Sequence, residues 1–164
     1  MNDTEATMSS GLSADENAPK GDAFVLPASF GQRRLWFLDQ LEPDSSAYNI
    51  SSAIRLIGNV NAAALQLALN DLVTRHETLR TTFDVEDDEP VQIVDERGHI
   101  KLQVVNSENP PEGAIAYLLT QLSNQSFDLL HGPLLNVHLI QISNNESCLL
   151  YTSDAADDSL RVDL

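Results

Sequence analysis

Arg75-His76-Glu77-Thr78-Leu79-Arg80-Thr81-Thr82-Phe83 is the stretch on which the reading of the fold turns. Before it, Leu65, Leu69, Leu72 and Val73 recur at i, i+4, i+7 and i+8, and Asn61 is placed to cap them, which predicts an amphipathic helix running to about Leu79. After it, Thr81 to Val85 and Val91 to Val94 alternate with a period of two around the acidic turn Glu86 to Pro90, which predicts a β-hairpin. The hydrophobic period therefore changes from that of a helix to that of a strand inside these nine residues, and a helix feeding directly into a strand implies layered α/β structure.

The same alternation of elements continues outward. Phe24 to Pro27 reads as a short extended segment, and Ser29 with Gln32 forms a capping box that starts a helix carrying Leu35, Leu38 and Leu41, widened by Trp36 and Phe37 and stopped by Pro43 and Asp44. Tyr48 to Ile57 reads as a strand with Ile50, Ser52, Ile54 and Leu56 on one face, ended by Gly58-Asn59. Ile100, Leu102 and Val104 mark another strand. Pro110 and Pro111 are expected to open a helix with Ile115, Leu118, Leu119 and Leu122 on its apolar face, ending near Phe127. Leu134 to Ile142 and Ser147 to Thr152 read as strands joined through Asn144-Asn145. The fold class expected is α/β, a mixed sheet with covering helices.

At 164 residues and 42% hydrophobic content the chain has material for one core. The formal charge of −16, from 25 acidic and 9 basic residues, opposes binding to nucleic acid or to anionic membrane surfaces. One cysteine, Cys148, allows no internal disulfide, and no segment has the length and apolarity of a membrane span, so a cytoplasmic protein is expected. Residues 1–22 are polar and short of large apolar side chains, and read as a flexible acidic leader or linker without signal-peptide character.

Common catalytic signatures are missing. The seven glycines are scattered and form no phosphate cradle, and no Gly-x-Ser-x-Gly turn is present to expose a nucleophile. His131 and His138 lie seven apart, on opposite faces of any extended stretch, so no metal site is expected. Cys148 falls in an apolar strand and reads as a small buried side chain. His76 could serve as a base, although a helix-end histidine helping to satisfy terminal carbonyls is the simpler reading.

Two motifs carry a family resemblance. Ser29-Phe30-Gly31-Gln32-Arg33-Arg34-Leu35-Trp36 resembles the S-x-A-Q-x-R-L/M-W opening of condensation domains of nonribosomal peptide synthetases, with Gly31 in place of alanine. Arg75 to Phe83 matches their R-H-E-x-L-R-T-x-F motif at every specified position, through Arg75, His76, Glu77, Leu79, Arg80, Thr81 and Phe83. Glu89 to Val94 and the run Phe127-Asp128-Leu129 through Gly132-Pro133-Leu134-Leu135 are softer matches. The resemblance implies the first of two lobes of a chloramphenicol acetyltransferase-like fold over residues 23–152, with the second lobe missing. It also implies amide formation between thioesters held on the phosphopantetheine arms of carrier domains, no bound cofactor, and carrier and neighbouring synthetase domains as partners.

The family's H-H-x-x-x-D-G motif supplies an imidazole that acts as base or orients the attacking amine, and an aspartate whose arginine partner corresponds to Arg80. Aligned without gaps, Asp154 to Leu160 occupy its place: Ala155 stands at the catalytic histidine and Ser159 at the aspartate, so no catalytic residue is assigned. Residues 153–164 read as a divergent polar tail without a strand partner, either because the lobe is degenerate or because the reading leaves the parent gene after about Thr152. Two other readings stay open: a non-enzymatic docking module for carrier or neighbouring domains, and a relative acting on coenzyme A thioesters.

Overall fold

A computed structural model of the chain describes residues 23–154. In order these form β1 (Phe24–Pro27), α1 (Phe30–Leu41), β2 (Asn49–Ile57), α2 (Ala62–Arg75), one 3-10 turn (Glu77–Arg80), β3 (Thr81–Glu86), β4 (Glu89–Val94), β5 (Leu102–Asn106), α3 (Ala114–Ser123), β6 (Leu135–Ser143) and β7 (Glu146–Asp154). The expected mixed sheet is four-stranded, in the order β2-β7-β6-β5, and only β5 and β6 run parallel, joined through α3. The hairpin does not join it. With β1 it builds a separate antiparallel sheet in the order β1-β4-β3.

Local chemistry accounts for most of the element ends. The Ser29 hydroxyl accepts from the Gln32 amide at 3.2 Å and the Gln32 side chain accepts from the Ser29 amide at 2.7 Å, so two otherwise orphaned donors at the start of α1 are satisfied. Asn61 caps α2 by accepting from the Ala64 amide at 3.0 Å. Asp87 and Asp88 turn the hairpin with φ of 51° and 64°, a left-handed pair that matches strand twist and that aspartate tolerates.

Several expected boundaries move. α2 stops at Arg75, because His76 is extended (φ −112°, ψ 105°), and Glu77–Arg80 form the separate 3-10 turn. α3 is shorter at both ends: Pro110 and Pro111 precede a turn in which the Ala114 amide donates to Pro111 O at 3.1 Å and Gly113 takes φ 80°, so the helix begins only at Ala114, and it ends at Ser123. Ser153 is not part of an unpaired tail. β7 runs through Asp154, with Ser153 opposite Ile50 on one side and Leu135 on the other and fully buried. Residues 1–22 and 155–164, with the leader and the rest of the tail, lie outside the described residues.

Alternation along β6 sends Leu135, Val137 and Leu139 to one face of the large sheet, where they join Val73, Ile100 and Leu102 in a buried cluster under Leu65 and Leu69 of α2. His138 and Ile140 point to the other face with Leu150 and Thr152 of β7, all of them buried. α3 lies along β2 and β7, and the Asn49 side-chain amide ties its end down by donating to Ser123 O at 3.0 Å and Gln125 O at 2.7 Å. A second cluster, Phe83, Phe127, Leu129 and Leu134, packs against Leu35 and Trp36 of α1.

Phe83 is 2% exposed at the centre of that second cluster. Truncation by F83A is expected to destabilise the chain by about 3–5 kcal/mol, because the cavity adds to the lost burial, as read from chemical denaturation midpoints.

Several apolar side chains are left outside either core. On α1, Phe30, Phe37 and Leu41 fall on one helical face and are 88%, 58% and 62% exposed, and Ile50 and Ile54 on edge strand β2 are each 44% exposed. The chain produced by itself is expected to self-associate, and more so as salt screens the −16 net charge. Light scattering that gives an 18.0 kDa monomer at every concentration and ionic strength would contradict this.

Candidate functional site

The nine-residue stretch from Arg75 to Phe83 forms the seam between the two sheets. Arg75 sits in the last turn of α2, where a cation suits the helix dipole, and Arg75, His76 and Glu77 are exposed. The His76 backbone amide, not its ring, closes α2 by donating to Leu72 O at 2.9 Å. Leu79 packs against the first cluster. Thr81, 6% exposed, donates from its hydroxyl to Glu77 O at 2.9 Å, and the Phe83 amide donates to Leu129 O at 2.8 Å.

Arg80 lies between the two clusters, its side chain 10% exposed. Its Nη1 donates to the backbone carbonyl of Asp95, its Nη2 stands 3.4 Å from Glu77 Oε1, and its buried Nε has no hydrogen-bond partner among the described residues. Arg80 O in turn accepts from the Asp95 amide at 3.0 Å. Gly98 lies against the arginine stem, where a Cβ would stand 2.3 Å from Arg80 Cβ. Beside the guanidinium opens a cavity of about 350 Å³, lined among others by Arg97, His99, His131 and Leu134. It is a cationic recess in an acidic chain, and a buried, incompletely satisfied guanidinium is suited to a carboxylate.

The first motif has a different part to play. Ser29 and Gln32 cap α1, and Gln32 Nε2 also donates to Gln92 Oε1 at 3.1 Å, so the helix start is tied to β4. Leu35 and Trp36 pack into the second cluster, and Arg34 is exposed without an ion pair among the described residues. Arg33, to which sequence reasoning assigns no role, donates from Nε to Ala28 O at 3.1 Å and pairs with Glu89 at 2.8 Å. Trp36 and Phe83 also wall a second cavity of about 420 Å³ that contains Asp39, Asp44, Asp84 and Asp128. Burial pushes the Asp39 carboxyl up, Gln40 opposes this by a hydrogen bond, and the charges of Asp128 and Asp44 add to the rise.

The described imidazoles differ in what they can do. His131 is exposed and its Nδ1 lies 2.8 Å from Asp128 Oδ2, a contact that holds the Asp128 carboxyl below its ordinary range. His138 is 1% exposed in β6, its Nδ1 has no partner among the described residues, and burial lowers its pKa. Cys148 is buried as expected, and burial raises its thiol pKa, which disfavours a reactive thiolate. Among the described residues no three His, Cys, Asp or Glu side chains are grouped to hold a metal, and no helix is long and apolar enough to cross a membrane. Ala155 and Ser159 lie outside the described residues.

A mixed sheet with packed helices and a motif-bearing seam to a smaller sheet is the chloramphenicol acetyltransferase-like arrangement. The chain belongs to the condensation domain family, whose model matches residues 23–153. It is 42% identical over 155 residues to a linear gramicidin synthase polypeptide of Brevibacillus parabrevis, covering 92% of this chain and 3% of that protein. To the isonitrile lipopeptide synthase of Mycobacterium tuberculosis it is 38% identical over 128 residues, covering 77% of this chain and 5% of the relative. The starter condensation domain of rhizomide synthetase shares the fold with a TM-score of 0.74 at 23% identity, over 80% of this chain and 31% of that one. A four-domain nonribosomal peptide synthetase bound to AMP and glycine also gives a TM-score of 0.74, at 21% identity, over 87% of this chain and 11% of that one. The chain thus spans 3% and 5% of these two curated synthetases and about a third of the solved rhizomide domain.

His138 ties stability to pH. Its folded pKa lies below the ordinary value of about 6.5, so the unfolded chain binds the extra proton first; its contribution is intact above that value and lost as pH falls through the folded pKa. The melting temperature is expected to drop between pH 7 and pH 5, and H138L, which removes the titrating ring while leaving no buried acceptor, should flatten that decline.

Proposed function

We propose that this chain is the first lobe of a nonribosomal peptide synthetase condensation domain whose complete form joins two carrier-bound thioesters through an amide bond. The observation that carries the reading is the full Arg75 to Phe83 motif at the seam between the two sheets, inside a family match that spans residues 23–153. In the reaction the acceptor amine nitrogen attacks the donor thioester carbonyl, a C–N bond forms as the C–S bond breaks, and the donor arm departs as a thiol while the amine nitrogen gives up a proton. Both substrates arrive on phosphopantetheine arms, so carrier domains and neighbouring synthetase domains are the partners, and the lobe needs no resident cofactor.

Within that scheme the lobe supplies structure and not the base. Arg80 is the anchor for the catalytic segment: its unpartnered Nε and weakly held Nη2 form an edge that takes the aspartate of H-H-x-x-x-D-G. Ala155 offers no titratable group at the histidine position, so the 164-residue chain is inactive by itself. An account in which the reading leaves the parent gene just after β7 is supported by the end of the family match at residue 153 and by the strand pairing of Ser153 and Asp154.

Two measurements test this. A hybrid carrying residues 23–152 joined to the downstream part of the linear gramicidin synthase condensation domain is expected to form dipeptidyl carrier product, whereas the 164-residue chain forms none. Product from the chain by itself, or a folded hybrid that makes none, would overturn the assignment. Source DNA read past codon 152 is expected to encode H-H-x-x-x-D-G, and its absence from every frame would remove the account of the tail.

A further inference from the structure

We propose that Asp95 is a positioning residue for Arg80: the turn closed by its side chain aims its own carbonyl at Nη1 and so fixes the face on which the arginine presents its remaining donors. This rests on the reading of Arg80 as the anchor of the catalytic segment, and it adds a residue outside both recognised motifs.

Three contacts at one turn support it. The Asp95 carboxylate accepts from the Arg97 amide at 3.0 Å, an Asx turn that bends the chain immediately after β4. The bend brings the Asp95 carbonyl to Arg80 Nη1, while the Asp95 amide donates to Arg80 O at 3.0 Å. Arg80 is therefore gripped from one residue at both its backbone and its side-chain end. Gly98 completes the arrangement at the base of the side chain, where a Cβ would stand 2.3 Å from Arg80 Cβ.

The consequence follows from guanidinium geometry. Five donors lie in one plane, and rotation about the Cζ–N bonds exchanges the donor positions. Once Nη1 is held by the Asp95 carbonyl that rotation is blocked, and Nε, together with an Nη2 that has only the 3.4 Å contact to exposed Glu77, faces the opposite edge as the fork that a carboxylate can meet with two bonds. Without the Asx turn the carbonyl is free to swing away, the guanidinium can reorient, and the cost of ordering it falls on whatever segment docks there.

The test uses the 164-residue chain, so it does not depend on catalysis. Nitrogen-15 NMR of the arginine side chains is expected to show a protected Arg80 Nε–H and two separate Nη resonances. D95A should merge the Nη pair and expose Nε–H to exchange, while D95N, whose amide oxygen still closes the Asx turn, should retain the native signature. An unchanged Arg80 signature in folded D95A, or its full loss in D95N, would overturn the proposal. D95S, with a shorter and weaker acceptor, replaces D95A should alanine not fold, and an unchanged signature there counts equally against it. In the hybrid enzyme D95A should lower kcat with little effect on KM; if the unmodified hybrid is inactive the functional reading fails, while the NMR result still decides the role of Asp95.

Discussion

The backbone between Leu79 and Phe83 has to serve two cores at once. Leu79 packs beneath α2 against the large sheet, and four residues later Phe83 is buried in the cluster under α1. A continuous α-helix cannot do this, because residues four apart fall on the same helical face. The chain meets the requirement by leaving α2 at the extended His76, taking one tight turn and entering β3. Arg80 occupies the point of crossing, and burying its charge there is tolerable because its donors find the Asp95 carbonyl and Glu77. The end of α2, the start of β3 and the recess beside Arg80 all lie at that crossing.

What is legible in the sequence follows from how local each signal is. The capping box at Ser29 and Gln32, the cap at Asn61 and the left-handed aspartates of the hairpin turn are decided within four residues, and each lies where residue chemistry places it. Strand periodicity is also local, so the alternation of β6 can be read without knowing its neighbours. Pairing is not local. The period of β3 and β4 says that two faces exist, but not that β1 rather than β5 lies beside them, and so one sheet is expected where two form. The end of β7 escapes a sequence reading for the same reason: Ser153 and Asp154 have poor intrinsic strand character and are held by partners 18 or more residues away.

The candidate site divides along the same line. Arg80 is legible because it sits in a motif with a fixed spacing, yet nothing in that motif points to Asp95, which follows a strand fifteen residues later and grips Arg80 through a backbone carbonyl that any residue possesses. Only its Asx turn distinguishes it, and an aspartate followed two residues later by an arginine is too common to single out. His138 shows a different gap: the sequence discounts it as a metal ligand, but only the pairing of β6 inside the sheet shows that it is buried, and that burial lowers its pKa.

On the proposed function, a physical division of labour lets the lobe keep its fold while the base is supplied from elsewhere. Folding requires the apolar clusters, the caps and an Arg80 held at the seam, and all of these are built from side chains before the end of β7. In the proposed reaction proton transfer requires an imidazole, which none of those contacts demands. In that scheme the two requirements share only the arginine: its Nη1 completes the seam, and its Nε, unpartnered among the described residues, is the edge proposed to take a segment from outside the cores. An arginine satisfied entirely by the lobe would fold as well but hold nothing further, and one left wholly unsatisfied would destabilise the seam. Partial satisfaction of a buried guanidinium is therefore the physical condition under which a single side chain could close the fold and still seat the catalytic loop that the proposed function requires.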